Sequence, residues 1–321
     1  MQSWKNDVSV LLIFFVRDDV LRKTFESIRQ ARPRRLLLWQ DGPRANNPND
    51  IKAIECCRKI VENIDWDCEV YKKYNDVNYG CDPSTFLSHK WAFSIVDRCI
   101  VLEDDCVPSQ SFFPYCKELL DKYETDHRIN RICGMNNLGE LTGCNEDYFF
   151  TRSGSVWGWA TWKRVADEWE PNYDFIKDEY SIKQLSLNKN DKRFKTFYEN
   201  VKRHSLTGKP YWESVQSMRK LLSNSLDIVP RKNMIRNIGV TQDSTHSVSN
   251  IKLVPKKQRK VFYEMNVYEL DSPIKHPKYI VENLEYPMRL EIALNNNFFT
   301  RIELILRHLV YRILPHLFRN K

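Results

Sequence analysis

Three consecutive carboxylates, Glu103-Asp104-Asp105, follow the apolar run Ile100–Leu102 and precede Cys106-Val107-Pro108. Carboxylates held this close raise one another's pKa unless a cation compensates them. Mg²⁺ and Mn²⁺ prefer oxygen ligands, and they bind through one or two carboxylates together with substrate phosphates. An acid cluster between a buried strand and a return to the core therefore predicts a divalent-cation site. The alternative is a solvated acidic turn, the more common meaning of such a triplet.

Strands and helices alternate over the first hundred or so residues, which predicts an α/β fold with a largely parallel sheet. Residues 8–16, 36–39 and 100–102 have the apolar pattern of buried strands. Ligands of such sheets bind beyond the carboxyl ends of the strands. Arg17 and Asp41, which end the first two strands, are thus expected to share one rim with the acid cluster.

Each of these two rim residues has a structural alternative. Asp41 can form a turn with its own backbone before Gly42-Pro43. Arg17 can pair at the surface with Asp18 or Asp19. The acids at the helix starts are also candidate caps: Asp18 or Asp19 for the first helix, and Asp50 for the second.

The composition excludes several classes of protein. Glycine occurs nine times, without G-x-G-x-x-G or G-K-[ST], which excludes a standard dinucleotide loop and a P-loop. The nine cysteines contain no C-x-x-C, so a structural zinc site is not indicated. The longest apolar run, Val10–Val16, is too short to span a membrane, and no secretory leader is visible, so we expect a cytoplasmic protein. The net charge of +8 suits a polyanionic partner.

After residue 150 the alternation fades and aromatic residues become frequent, which predicts an acceptor-side part built onto the same sheet. At the C-terminus, residues 298–321 carry apolar residues at helical spacing with five basic residues against Glu303. Such a helix can lie on the anionic inner face of the cell membrane as a peripheral contact. It can equally pack on the protein core.

Four segments, in the same order, resemble one enzyme family. IVLEDDCVPSQSFF (100–113) resembles the metal-binding segment of GT-A glycosyltransferases, in the branch similar to N-acetylglucosaminyltransferase I. RSGSVWGWATW (152–162) resembles a block of the bacterial polysaccharide and lipopolysaccharide members. Tyr211-Trp212-Glu213 resembles the block that supplies the family's base, and residues 229–247 resemble its tail of N-x-G followed by T-H.

The resemblance implies a Rossmann-like nucleotide-diphospho-sugar transferase fold with a mixed, mostly parallel sheet and a C-terminal helical extension. Residues 1–250 would form the catalytic domain, with a donor and metal half (1–150) and an acceptor half (151–250). Residues 251–321 would form a basic extension that ends in the amphipathic helix 298–321.

The resemblance also assigns roles at the rim. Asp105, as the last acid of the motif, would ligate the metal, Mn²⁺ or Mg²⁺. Asp104 would lie near the ribose and Glu103 near the donor sugar. Arg17 and Asp41 match positions that hold the nucleotide base, and a carboxylate there favours a UDP-linked donor.

Glu213 would be the general base of an inverting transfer, which needs a carboxylate within reach of the attacking hydroxyl. Relatives carry two acids after the tryptophan, whereas Ser214 stands second here. Gly158 would let the backbone approach the donor, and Trp159 would contact it, unless this aromatic run only packs a loop. His246 is a second candidate metal ligand, against a purely structural role.

The resemblance therefore implies a metal-dependent inverting glycosyltransferase. It would move a sugar from a nucleotide-sugar to a saccharide or lipid-linked saccharide acceptor in surface polysaccharide biosynthesis. One alternative is a sugar nucleotidyltransferase, although the loop Arg17-Asp18-Asp19 lacks the glycines typical of that class. The other is a basic non-catalytic protein that binds a membrane or nucleic acid. No nucleic-acid-binding motif is present, so we expect no nucleic-acid partner.

Overall fold

The computed structural model describes residues 3, 5–187, 194–240 and 250–294, together with 303, 306 and 307. Its strands are β1 (Ser9–Phe14), β2 (Arg35–Gln40), β3 (Glu69–Tyr74), β4 (Arg98–Glu103), β5 (Cys106–Pro108), β6 (Ile129–Cys133), β7 (Tyr148–Thr151), β8 (Trp159–Trp162), β9 (Leu226–Pro230) and β10 (Ile235–Asn237). Its α-helices are α1 (Asp18–Ala31), α2 (Asn49–Val61), α3 (Cys81–Phe93), α4 (Phe112–Lys122), α5 (Lys163–Ala166), α6 (Glu179–Ser186), α7 (Phe194–Ser205), α8 (Trp212–Leu222), α9 (Lys256–Phe262) and α10 (Glu285–Leu294).

Eight strands form one mixed sheet in the order β3-β2-β1-β4-β8-β6-β9-β7. The first four strands are parallel, and so are β6 and β9, whereas β8 and β7 run antiparallel to their neighbours. Strands β5 and β10 pair separately as a small antiparallel ribbon. The predicted α/β Rossmann-like fold with a mixed, mostly parallel sheet is therefore confirmed.

Helices cover both faces of this sheet, which explains why its central strands are apolar throughout rather than alternating. The side chains of β1, β2 and β4 that point to one face pack with α1 and α4, and those that point to the other face pack with α3 and α8. A third apolar cluster joins Phe149 and Val229 of the sheet to Val261, Tyr286 and Leu290 from α9 and α10. The chain beyond residue 250 thus continues onto the far end of the sheet.

The acids at the helix starts do not cap them as predicted. Helix α1 begins at Asp18 itself and its N-cap is Arg17, so Asp18 and Asp19 lie in the first turn. Asp50 likewise lies inside the first turn of α2, after the N-cap Pro48. Its carboxylate accepts hydrogen bonds from the Arg44 guanidinium at 2.7 and 2.8 Å, because a flanking cation competes with the helix N–H groups for it.

The amphipathic helix predicted at 298–321 lies outside the described residues except at Glu303, Leu306 and Arg307. Glu303 accepts a hydrogen bond from the backbone N–H of Lys256 at 3.1 Å, and the Arg307 guanidinium donates to the Lys252 carbonyl at 2.7 Å. These two side chains therefore contact the chain at and just before the start of α9. Within the described ranges, no helix has the length and hydropathy needed to cross a membrane.

Charged side chains are buried in the sheet where β6 pairs with β9, next to the edge strand β7. Arg131 and Asp227 are partners in the strand register, and Arg131 Nε donates to Asp227 Oδ1 at 3.0 Å. Lys220 of α8 donates to Asp227 Oδ2 at 2.6 Å. All three are buried, with exposed fractions of 2, 0 and 6 %. Burial alone would raise the pKa of Asp227, but the two cations lower it below its usual value.

We expect Asp227→Asn to lower the free energy of unfolding by about 3–5 kcal/mol, because two buried cations would lose their counter-charge. Urea denaturation at neutral pH measures this loss. The matched control is Asp174→Asn, whose partner Lys177 is exposed, and its effect should stay within about 0.5 kcal/mol. Equal effects of the two substitutions would show that the buried pair does not stabilise the sheet.

Candidate functional site

The carboxyl ends of β1, β2 and β4 lie side by side, because these strands are parallel neighbours. Arg17 follows β1, Asp41 follows β2, and Glu103 ends β4 with Asp104 and Asp105 directly after it. The structure thus brings the predicted rim residues together at one edge of the sheet. A cavity of about 200 Å³ opens between them and is lined by Arg17, Asp41, Glu103 and Asp104, with Asn78 and Ser84 among the other lining residues.

Arg17 turns away from Asp18 and Asp19 and bonds the acid cluster instead. Its Nη2 donates to Asp104 Oδ1 and, at 2.9 Å, to Asp105 Oδ2. Its Nη1 donates to the Gly239 carbonyl at 3.3 Å. The alternative of a surface pair with Asp18 or Asp19 is therefore wrong, because Asp104 and Asp105 offer Arg17 partners shielded from solvent. The predicted contact of Arg17 with a nucleotide base stays a prediction.

One guanidinium is too little charge for three adjacent carboxylates, of which Asp104 and Asp105 are buried and Glu103 is half-buried. Burial, and then the charges of Asp105 and Asp104, raise the pKa of Glu103 well above its usual range, against the opposing charge of Arg17. Burial also raises the pKa of Asp104, although Arg17 again opposes the shift. The surplus of buried negative charge fits a bound divalent cation with oxygen ligands.

Asp105 Oδ1 has only weak partners, Asn237 Nδ2 at 3.4 Å and Cys106 Sγ at 3.5 Å, and the contact of this carboxylate with a cation stays a prediction. Gly239 lies against its other oxygen: a Cβ at that position would come within 2.1 Å of Asp105 Oδ2. Among the residues that the structure describes, no group of three or more acids, histidines or cysteines has the geometry of a metal site. The second predicted ligand, His246, lies outside the described residues.

Asp41 ties down the loop that leads to α3. Its two carboxylate oxygens accept hydrogen bonds from the backbone N–H groups of Gly42, Tyr79 and Gly80, all between 3.0 and 3.1 Å. Burial raises the pKa of Asp41 and these donors oppose the shift. Asp41 therefore does more than form the local turn considered above. Its predicted contact with a nucleotide base stays a prediction.

A second, larger cavity of about 750 Å³ is lined mainly by the segment between β7 and β8 and by helices α7 and α8. Glu213, in the first turn of α8, lines this cavity with its side chain exposed. Its charge also contributes to raising the pKa of Glu103, so the base candidate lies within electrostatic reach of the rim. The cavity is lined by Arg131, Asn137, Arg152, Ser153, Gly154, Ser155, Val156, Trp157, Phe194, Phe197, Asn200, Glu213, Gln216, Ser217, Lys220, Leu221, Phe262 and Leu290.

The side chains on either side of Glu213 in the sequence, Trp212 and Ser214, are buried in the protein and fix the start of α8. Trp212 is buried and stacks on Trp159, with ring centroids 5.7 Å apart and planes inclined by 8°. Ser214, which stands where relatives carry a second acid, is buried, and its Oγ lies 2.9 Å from His204 Nδ1. Of the two positions after the tryptophan, only Glu213 therefore presents a carboxylate to the cavity.

Trp159 begins β8 and Gly158 directly precedes that strand, and neither residue lines the rim cavity. Trp159 is 2 % exposed and packs against Trp212 and His89, so its ring faces the core. Gly158 adopts φ +63°, and a Cβ there would come within 2.5 Å of the Ile235 side chain. The glycine is thus required by close packing against β10, and a donor contact for either residue stays a prediction.

The sequence analysis missed the charged residues at the base of the large cavity, Arg131, Lys220 and Asp227. The sequence did contain a signal for a buried charge, because Arg131 interrupts the apolar residues of the short segment INRIC (129–133) at a position that faces the interior. Its partners come from β9 and α8, about 90 residues later, so the pairing could not be inferred from the local pattern.

Comparison with known proteins adds little to this geometry. No protein-family model matches the chain, and no curated protein matches it. Among solved structures, a UDP-glucose pyrophosphorylase complexed with UDP-glucose is 9 % identical with a TM-score of 0.37, and 71 % of this chain and 91 % of that one are covered. The apo form of UDP-glucose pyrophosphorylase gives the same identity and TM-score, with coverage of 72 % and 93 %.

A 4-diphosphocytidyl-2C-methyl-D-erythritol synthase from Anaerococcus prevotii is 10 % identical with a TM-score of 0.30, and 60 % of this chain and 83 % of that one are covered. At TM-scores of this size, neither the reactions nor the ligands of these proteins transfer to this chain.

We expect Asp41→Ala to lower the free energy of unfolding by about 2 kcal/mol, because the backbone N–H groups of Tyr79 and Gly80 would lose their acceptor. Chemical denaturation measures the loss. Asp76→Ala, an exposed acid in the loop that Asp41 holds, is the matched control and should change stability by less than about 0.5 kcal/mol. Similar values for both variants would mean that Asp41 does not fix the loop.

Proposed function

We propose that this protein is a metal-dependent inverting glycosyltransferase that uses a nucleotide-sugar donor, UDP-linked in the first instance. The observation that carries the proposal is the position of Glu213, which lines the large cavity and reaches the acidic rim electrostatically. A sugar bound at the rim through its diphosphate would then meet an acceptor hydroxyl from the cavity beside Glu213. The proposed acceptor is a saccharide or a lipid-linked saccharide of a surface polysaccharide.

The rim residues would bind the donor. Asp105, with Asp104 beside it, would hold Mn²⁺ or Mg²⁺, and a bound divalent cation offsets the negative charge that develops on a leaving diphosphate. Arg17 would orient both carboxylates, because its Nη2 donates a hydrogen bond to each of them. Glu103, which lines the rim cavity, would lie beside the donor sugar.

Glu213 would act as the general base. The acceptor oxygen forms a bond to the anomeric carbon while the bond from that carbon to the diphosphate oxygen breaks, and the electron pair leaves with the nucleotide. The acceptor's hydroxyl proton passes to the Glu213 carboxylate. Attack from the face opposite the leaving group inverts the anomeric centre, through an oxocarbenium-like transition state.

The leading alternative is a sugar nucleotidyltransferase, which would release pyrophosphate while making a nucleotide-sugar. The short connection between β1 and α1 argues against it, because it contains no glycine and its Arg17 is bonded to Asp104 and Asp105. Two further expectations stay predictions. One is that the protein has no nucleic-acid partner, and the other is that residues 298–321 make a peripheral contact with an anionic membrane.

The reaction class is tested by incubating the protein with nucleotide-sugars and Mn²⁺ and by measuring both products. Release of UDP, with or without an added acceptor, supports the glycosyltransferase. Pyrophosphate formed from UTP and a sugar 1-phosphate would establish the alternative. Stabilisation by an oligonucleotide but not by UDP with Mn²⁺ would favour the non-catalytic protein.

Asp105→Ala should lower metal-dependent turnover by about 10²-fold or more, because the cation would lose its carboxylate ligand. The readout is UDP release titrated with Mn²⁺, with Asp121→Ala, an exposed acid on α4, as the control. A variant that keeps the wild-type Mn²⁺ dependence would remove the metal role of Asp105.

Glu213→Gln should lower kcat by about 10²–10⁴-fold while UDP binding is retained, because the amide cannot accept the proton. Steady-state kinetics and UDP titration measure the two quantities separately. Glu199→Gln, an exposed acid on the neighbouring helix α7, serves as the control. If kcat does not change in Glu213→Gln, the base must be sought elsewhere.

A further inference from the structure

The large cavity ends on a buried cluster that carries more positive than negative charge. Arg131 and Lys220 line the cavity, and both bond the single carboxylate of Asp227 beneath it. Lys220 Nζ also donates to the Arg152 carbonyl at 2.7 Å, and Arg131 Nη2 donates to the Gln216 side-chain oxygen at 2.9 Å. Asn130 donates to the same Asp227 oxygen that Arg131 contacts.

The cluster also leaves one hydrogen-bond donor unused. Arg131 Nη1 is buried and finds no acceptor within the described parts of the chain. A buried guanidinium with an unpartnered N–H is costly, whereas an anion placed against it would satisfy the donor and balance the surplus charge at once. A third cation, Arg152, lines the same cavity half-buried and pairs with Glu282 at 3.2 Å.

The remaining walls are largely apolar. Phe194, Phe197 and Leu221 lie on the α7 and α8 side, and Trp157 and Phe262 contact each other, with ring centroids 5.7 Å apart. A purely polar ligand would not cover the apolar surface of these rings. A purely apolar ligand would bury the cationic cluster without supplying a counter-charge or a hydrogen-bond acceptor. The lining therefore matches a ligand with both an anionic group and an apolar portion.

We propose that the large cavity binds an acceptor glycoside whose anionic group, a carboxylate or a phosphate, contacts Arg131. This inference rests on the proposed function, since it assigns the acceptor class for that transfer. The anion lies at the Arg131–Lys220 end, the apolar portion lies along the aromatic walls, and the sugar hydroxyls extend toward Glu213.

Matched detergents test the requirement for charge. Octyl β-D-glucuronide carries a carboxylate on the sugar, octyl glucosyl phosphate carries a phosphate between sugar and chain, and octyl β-D-glucoside is neutral with the same chain. Calorimetric titration below their micelle concentrations should show at least one charged probe binding about tenfold or more tightly than the neutral one. The charged probe that binds more tightly shows whether the anionic group of the acceptor is a carboxylate or a phosphate. Equal binding of all three, or binding of none, overturns the proposal.

Arg131→Gln should abolish the preference for the charged probe. Because this variant can fail to fold, Arg152→Gln provides a second test at a half-buried position, with an expected loss of about threefold to tenfold for the charged probe alone. Arg128→Gln removes an exposed cation elsewhere and is the control. An unchanged preference in every folded cavity variant contradicts the assignment.

The same titrations include UDP with Mn²⁺ as an independent readout. If UDP binds and nucleotide-sugars turn over but the octyl probes show no charge preference, only the acceptor inference fails. If a charged probe binds with the predicted preference but no nucleotide-sugar turns over, the cavity assignment stands and the glycosyltransferase proposal fails.

Discussion

Three adjacent carboxylates, of which Asp104 and Asp105 are buried and Glu103 is half-buried, are held at one edge of the sheet, and among the described residues Arg17 is the cation that bonds them. Their place is fixed by the sheet, because β4 ends at Glu103 beside β1, and the chain then turns into β5 through Asp104 and Asp105. Arg17 can reach them only because β1 ends at the same level. Such a cluster is unstable in isolation and becomes favourable with a cation and an anionic ligand that bring further charge into balance.

The large cavity has the opposite imbalance. There, two buried cations share the single carboxylate of Asp227, and the surplus is positive. The negatively charged rim would bind the nucleotide-sugar donor through a cation. The positively charged end of the large cavity would bind the anionic acceptor directly. The two anionic substrates would thus be kept apart. Glu213 lines the large cavity, and the proposed direct transfer requires it to reach the rim site as well.

The sequence predicted the elements of the first hundred or so residues well because their signals are local. Strands β1, β2 and β4 are continuous apolar runs, and each is followed by a polar residue that the parallel sheet must place at one edge. The helix caps were predicted wrongly, because rules for helix-start residues do not include the pairing of Asp50 with the Arg44 guanidinium. The region around β6, β9 and α8 was harder to predict, since these elements meet through contacts between residues about 90 positions apart, and no pattern near Arg131 identifies its partners.

The most direct test is a crystal of the protein soaked with UDP and Mn²⁺, examined by anomalous scattering from manganese. The account predicts one strong anomalous peak in contact with the Asp105 carboxylate and with both phosphates of UDP, and uracil in the rim cavity near Asp41. A structure in which UDP and manganese bind elsewhere, while Arg17 keeps its contacts and the rim stays empty, would contradict it.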